Sequence, residues 1–386
     1  MQRFIAPVLV FALGLGTTAT QAQPLPLRDR VEGLLIGALV GDAAGGPVEF
    51  QPAQRGPWTA VDTPLTDASR QALATAFHLR PYDRAGAPYA HWTDYGPPGT
   101  VTDDSRFKVL FMQALRRAGQ PDRNVFAETL LATWADTTGP HAALRRAWLD
   151  EFAYSARWVL GQRGPDARPP ERAWGGIPTM AGQMPFLPIA ALHPNNPEAA
   201  YRATWHVDFL DNGTARDLNA ALVAGLAAAL TDDATWASVE QAMRTTDPYG
   251  FGEIEWVPRR LDRWLDRAHH MVARADGRPY RLYQILEAEL GAETWWEAWV
   301  PMTVVFACAE LADYDPLASM QLVLEFGYDT DSYLQVMGAI LGALHGPTAF
   351  PTGIRETVAA QFQADYGVQL DAWVDTLMEL AASAGH

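Results

Sequence analysis

The sequence predicts an all-α protein, on three observations. Apolar residues recur at helical spacing in one segment after another. Runs of alternating β-branched residues are nearly absent. Two of the helical segments carry glycines four residues apart, a pattern that suits helices packed at very short range. With 386 residues, 48% apolar and 19% charged, the composition is that of a globular chain with a sizeable core.

The elements follow in order. Residues 1–22, MQRFIAPVLVFALGLGTTATQA, read as a secretory signal peptide. Arg3 precedes an apolar run from Phe4 to Gly16, and small residues lead to a cleavage point near Ala22. The run is too short for a spanning helix. Gln23 stands where a lipoprotein needs cysteine. A secreted or periplasmic protein is expected, with no membrane attachment after cleavage. Residues 23–386 are expected to form a single domain, because its chemically richest segments lie near opposite ends.

RDRVEGLLIGALVGDA (28–43) places Val31, Leu34, Leu35, Ala38 and Leu39 on one helical face. DSRFKVLFMQALRRAG (104–119) repeats the pattern, with Arg116 and Arg117 in its last turn, Gly119 next and Pro121 beyond, all C-terminal signals. DLNAALVAGLAAAL from Asp217, TVVFACAELADY from Thr303 and DSYLQVMGAILGALHGP from Asp331 continue the series. Between them, 51–100 and 161–188 read as long irregular segments rich in Pro, Gly and Trp, the kind that line a binding site. Their aromatics, among them Trp92, Tyr95, Trp174 and Phe186, suit stacking on an adenine or a sugar face.

Gly33, Gly37 and Gly41 form one stripe, and Gly338, Gly342 and Gly346 another. Each interior glycine costs a helix about 1 kcal/mol relative to alanine. Two such stripes imply that both helices are buried and closely packed, and packing on each other is the expectation. Their apolar lengths read as short of a membrane span, so the transmembrane dimer motif does not apply.

The net charge of −16 and the near absence of lysine (Lys108 alone) exclude a nucleic-acid backbone as partner. A lone Cys308, set in apolar sequence, allows neither an internal disulfide nor a thiolate metal site.

Two acidic clusters carry the chemistry: Thr-Asp-Asp-Ser at 102–105 and Asp-Thr-Asp-Ser at 329–332, each at a helix start. Capping accounts for one carboxylate at such a place. An adjacent second carboxylate, found twice, calls for something else. Four carboxylates brought together need neutralising, and two divalent cations supply that charge. Oxygen-only donors, with Thr102 and Ser332 hydroxyls completing the shells, point to Mg²⁺ first, then Mn²⁺ or Ca²⁺. Such a pair orients a diol and activates water.

GLLIGALVGDAAGGPVEF (33–50), TDDS (102–105) and GYDTDSYLQVMGAILGALHG (327–346) resemble the three motifs of the ADP-ribosylglycohydrolase family, which includes the dinitrogenase-reductase-activating glycohydrolases and the J1 crystallins. The resemblance frames nearly the whole mature chain. It implies a compact multi-helix domain with a central dinuclear site for Mg²⁺ or Mn²⁺, and hydrolysis at the anomeric carbon of an ADP-ribosyl group. By that likeness the ligands are Thr102, Asp103 and Asp104 in the first cluster, and Asp329, Asp331 and Ser332 in the second. Ser332 stands where the family usually has Thr. Glu49 becomes the leading catalytic candidate beside Asp104 and Asp331, whereas Asp42 reads as structural, bonding amides where the first helix ends. The middle of the chain departs from the pattern. TMAGQMPFLP (179–188) keeps Met184 and Pro188 but has Pro185 where Arg is expected. With Gly182 and Met184 as substrate-binding candidates, His206 in TWHVD is the third.

The expected activity is therefore that of an exported, metal-dependent hydrolase of an N- or O-ribosidic bond, acting on a small-molecule ribosyl or glycosyl substrate. The sequence leaves two alternatives: a metal-independent α-helical glycosidase, and a non-catalytic ligand-binding protein. It is silent on oligomeric state.

Overall fold

The computed structural model describes residues 24–50, 56–85, 93–138, 149–290 and 295–384. The signal-peptide reading of 1–22 and the aromatic Trp92 lie outside these residues, as does the side chain of Tyr95.

The described chain is helical almost throughout. In order come α1 (Leu27–Gly45), α2 (Asp67–Ala76), α3 (Asp103–Ala118), α4 (Arg123–Ala135), α5 (Asp150–Val159) and the short α6 (Gln183–Phe186). These are followed by α7 (Pro197–Val207), α8 (Gly213–Ala229), α9 (Trp236–Thr245), α10 (Arg260–Ala275) and α11 (Pro279–Leu290). The series closes with α12 (Trp299–Leu311), α13 (Pro316–Phe326), α14 (Thr330–His345), α15 (Thr352–Tyr366) and α16 (Leu370–Ala384). One antiparallel hairpin interrupts it, β1 (Tyr82–Ala85) on β2 (Thr93–Gly96), with Tyr82 opposite Gly96 and Ala85 opposite Thr93. A continuous hydrophobic core runs from Val31 to Leu377.

The segment 51–100 is therefore less irregular than its composition suggests. Besides the hairpin it holds α2, which starts at a reciprocal cap: the Thr66 side chain accepts from the Ser69 amide, and the Ser69 hydroxyl accepts from the Thr66 amide. Serine in place of the usual Glu or Gln hides that signal from sequence.

The two glycine stripes do meet. A Cβ added at Gly37 would fall 2.0 Å from the Gly338 carbonyl oxygen, and one at Gly33 would fall 2.1 Å from that of Gly342. Gly41 opposes Leu334 and Gly45 opposes Asp331 in the same way, so α1 and α14 run antiparallel with backbones in contact. No side chain fits between them, which is why glycine recurs despite its cost in helix stability. The antiparallel sense brings the C-terminal end of α1 to the N-terminal end of α14. Arg30 secures the opposite end, donating to the Ala229, Ala343 and Leu344 carbonyls where α8 and α14 finish.

One length expectation is corrected. Leu27–Val48, α1 plus the 3₁₀ turn after it, is long and apolar enough to cross a membrane. Its burial inside the protein, 89% of the apolar window, makes it the central core helix instead. Helix α3 is built as its sequence indicates. Thr102 caps it, Asp103 and Asp104 occupy its first turn, and Gly119 ends it in the left-handed conformation at φ +71°. Cys308 is buried, and burial pushes its thiol up, so it is inert.

Candidate metal centre

Three helix ends converge on one cavity. Glu49 follows the 3₁₀ turn after α1, Asp103 and Asp104 open α3, and Asp329, Asp331 and Ser332 open α14. All six line a cavity of about 400 Å³ that opens to solvent. Carboxylate oxygens of Asp103, Asp104 and Asp331 lie within 4.8 Å of one another, and so do those of Glu49, Asp329 and Asp331. Asp331 thus belongs to both groups. Every one of these side chains is buried, Asp331 to 1% exposure.

Hydrogen bonds fix most of the set. Asp42 reaches from α1 to accept from the Thr102 amide at 2.9 Å and the Ser105 amide at 3.0 Å. It does bond backbone amides as its sequence context suggests, but those of the α3 N-terminus rather than its own helix end. Asp104 accepts from the Ser332 hydroxyl at 3.1 Å and from the Gln335 side-chain amide. Gln335 in turn accepts from Lys108, whose ammonium also donates to the Asp104 carbonyl at 3.1 Å. The chain's single lysine is thus fully buried beneath the carboxylates. Burial pushes its ammonium down, against the pull of Asp104, Asp42, Asp331 and Asp103.

Two strained residues shape the mouth. Phe50 and Tyr328 are both left-handed, at φ +52° and +66°, which costs a bulky residue about 1–3 kcal/mol each. The Phe50 amide donates to the Tyr328 carbonyl at 2.5 Å, tying the residue after Glu49 to the residue before Asp329. Tyr328 stacks on Trp295 with ring centroids 3.6 Å apart, and Phe50 meets Trp296 edge to face at 6.5 Å.

The electrostatics suit a cation. Burial first, then the charge of Asp331, pushes the Asp103, Asp104 and Asp329 carboxyls well above the usual carboxylate range. One oxygen of Asp331, Oδ1, is buried with no hydrogen-bond partner, and Asp331 is the residue common to both groups. A buried orphan acceptor among carboxylates suits a missing positive ligand. Carboxylate and hydroxyl oxygens, without imidazole or thiolate, suit a hard divalent ion.

Of the expected residues, Glu49, Asp103, Asp104, Asp329, Asp331, Ser332 and Met184 line the cavity. Thr102 lies just behind, buried, its hydroxyl accepting from the Asp104 amide at 3.2 Å. Gly182 sits outside the lining and acts through its backbone, donating to Asp211 at 2.7 Å. His206 does not join the site: it is exposed on α7, outside the cavity lining. Its neighbours Asp208 and Asp211, past the end of α7, turn inward in its stead. Asp211 accepts from the Thr179 hydroxyl at 2.5 Å and from Asn219 at 2.8 Å, and Asp208 accepts from the Leu210 and Asp211 amides. Burial, then the Asp208 charge, pushes the Asp211 carboxyl up to about 8. Through Thr179 and Gly182 this network fixes the loop carrying Met180 and Ala181 and, beyond it, Met184 in α6. Backbone bonds from Met180 to the Trp296 carbonyl and from Ala298 to the Pro178 carbonyl, both 3.0 Å, pin that loop to the opposite wall.

Trp174 and Phe186 serve the core, packing on Phe152 and on Phe111 respectively. The aromatics that line the cavity are Phe50 and Trp296, which the sequence did not single out. Lys108 and Gln335 were also missed. Their signal was present, since each stands four residues after an aspartate of the clusters, Asp104 and Asp331.

The ADP-ribosylglycohydrolase family model matches residues 23–385. Among solved structures, a chain of an "ADP-ribosylglycohydrolase-related protein complex" superposes with a TM-score of 0.56 at 16% identity, covering 92% of this chain and 99% of that one. At that identity the likeness is one of fold. No curated protein matches the sequence.

Proposed function

The chain belongs to the ADP-ribosylglycohydrolase family, and from that premise we propose that it is an exported, divalent-metal-dependent hydrolase of an N- or O-ribosidic bond. Glycohydrolase-type activity follows from the family; the metal, the bond and the export are our reading. The observation that carries it is the convergence of two three-residue acidic groups on Asp331, one of whose buried oxygens lacks a partner.

Thr102, Asp103, Asp104, Asp329, Asp331 and Ser332 are the residues that would hold a pair of Mg²⁺ ions, or Mn²⁺ in their place. When bound, such ions supply Lewis acidity, a docking point for a ribose diol, and a lowered pKa for water. The protein does the rest. Asp42 holds the α3 N-terminus against α1, and Gln335 with Lys108 fixes the rotamer of Asp104. Glu49, at the edge of the Asp329–Asp331 group, takes the proton of the attacking water. The water oxygen bonds to the anomeric carbon as the glycosidic bond breaks, and the leaving group departs with the bonding pair. Phe50, Trp296, Met180 and Met184 keep bulk solvent off the reacting carbon.

The test is release of free ribosyl product from an ADP-ribosylated or nucleoside-type substrate with and without Mg²⁺. Activity should vanish in EDTA and in the Asp104→Ala and Asp331→Ala proteins. Full activity in EDTA would rule the reading out. Export is tested separately by N-terminal sequencing of the protein recovered from the periplasm or medium, which should begin near Gln23.

A further inference from the structure

The turn that launches α14 is short: Gly327, Tyr328 and Asp329 alone separate it from the end of α13 at Phe326. Gly327 and Tyr328 are both left-handed, at φ +91° and +66°, and Phe50 repeats the conformation at +52° directly after Glu49. Glycine adopts that backbone without steric cost, whereas for a ring-bearing residue it is an outlier. Each of the two outliers adjoins a carboxylate of the Glu49–Asp329–Asp331 group, and the Phe50 amide donates to the Tyr328 carbonyl. Strain of this kind persists only where the surroundings enforce it.

The rings show what enforces it. Tyr328 stacks on Trp295 with centroids 3.6 Å apart and planes 21° from parallel, and it leans on Phe326 at 5.2 Å. Phe50 meets the next residue, Trp296, edge to face. Trp295 is buried, and its carbonyl accepts from the Tyr333 hydroxyl of α14 at 2.8 Å. The Trp296 carbonyl accepts from the Met180 amide, and the Gln183 side chain donates to the Ala298 carbonyl at 3.1 Å. One short segment, 295–298, thus braces the turn before Asp329, the residue after Glu49 and the loop at 178–183. Side-chain direction follows the backbone, so the conformations of Tyr328 and Phe50 govern where Asp329 and Glu49 point.

Resting on the hydrolase reading above, we propose that Tyr328 and Phe50 are positioning residues, a strained clamp braced by Trp295 and Trp296 that holds the Glu49 and Asp329 carboxylates in the geometry the reaction uses. The clamp acts through those carboxylates and does no chemistry itself. In Tyr328 the ring does this work; the hydroxyl donates to Glu287 at 3.3 Å.

Three variants of the whole protein test this. Tyr328→Gly and Tyr328→Asn suit a left-handed backbone but remove the ring, and Tyr328→Phe keeps it. In metal-free protein, hydrogen exchange at the Phe50 amide, read by mass spectrometry, should quicken about tenfold or more in the two ring-less variants. In Tyr328→Phe it should match wild type. Melting temperatures of the same samples should stay close to wild type, because relief of the left-handed strain offsets the lost stack. Mn²⁺ affinity by calorimetry should nevertheless fall about 10–100-fold without the ring. On a ribosyl substrate kcat should fall about a hundredfold with KM little changed. Unchanged exchange and Mn²⁺ affinity in the ring-less variants would overturn the proposal, as would Tyr328→Phe losing as much as Tyr328→Gly. Ring-less variants that melt far below wild type, or do not fold, would assign Tyr328 to the scaffold and overturn it too. If wild type neither binds Mn²⁺ nor cleaves a ribosyl bond, the hydrolase reading falls by itself, and the exchange result alone decides whether the clamp exists.

Discussion

Ser332 donates a hydrogen bond to Asp104 across 3.1 Å, joining residues 228 positions apart at the first turns of two different helices. That contact is possible only because α1 and α14 pack glycine to glycine. The N-terminus of α14 is thereby carried to the end of α1, and Asp42 of α1 then pins α3 beside both. The site and the glycine stripes are one construction.

The stripe can be broken at a single atom. Gly37→Ala adds a methyl 2.0 Å from the Gly338 carbonyl oxygen, so the two backbones must separate. Alanine returns about 1 kcal/mol of helix propensity, but overpacking of this kind costs typically about 1–3 kcal/mol and here meets unyielding backbone. We expect a net loss of stability in denaturant titration, with metal binding weakened in the fraction that folds. Gly353, with open space around its missing side chain, is the control, and Gly353→Ala should be neutral or mildly stabilising.

Gln335→Leu removes the amide that bridges Lys108 to Asp104 and leaves two buried charged groups without that partner. Loss of a buried polar partner costs about 1–3 kcal/mol. Groups that orient metal ligands commonly change metal affinity about 10–100-fold. Calorimetric titration with Mn²⁺ should show affinity falling within that range, with the number of sites unchanged.

Asp42→Ala frees the Thr102 and Ser105 amides at the start of α3. A lost cap of this type costs about 0.5–2 kcal/mol. Because these amides also set the direction of Asp103 and Asp104, turnover should fall much further than stability does. Equal losses in both would assign Asp42 to the scaffold alone.

Much of this was legible in the sequence. The glycine spacing showed that two helices pack closely, and duplicated Asp-Asp and Asp-Thr-Asp runs showed more carboxylates than capping can use. What stayed hidden was set by tertiary contacts. Nothing local tells that Phe50 and Trp296, far apart in sequence, would share a wall, or that Asp208 and Asp211 would turn inward while His206 faces solvent. Lys108 was visible as the sole lysine, yet its burial depends on α14 supplying Gln335.

A pH effect is expected away from the site. His269 lies between Glu310, at 2.5 Å from Nδ1, and Glu240, at 2.9 Å from Nε2. Burial pushes the imidazolium down, but the hydrogen bonds and charges of the two glutamates outweigh it and leave the pKa raised. A pKa raised on folding contributes stability that is fully present below the unfolded value, about 6.5, and is lost as pH rises through the folded value. The cluster is partly exposed, so the contribution is about 1 kcal/mol or less. The stability difference between wild type and His269→Gln should shrink from pH 6 upward; a difference that grows with pH would contradict the assignment.

The central claim is that the two acidic helix starts share hard cations. Crystals grown or soaked with Mn²⁺ and measured at a wavelength where manganese scatters anomalously test it most directly. The account predicts two anomalous peaks, one within coordinating reach of Asp103, Asp104 and Asp331, the other of Asp329 and Asp331. Absence of peaks there at saturating Mn²⁺, or peaks only at surface carboxylates, would contradict it.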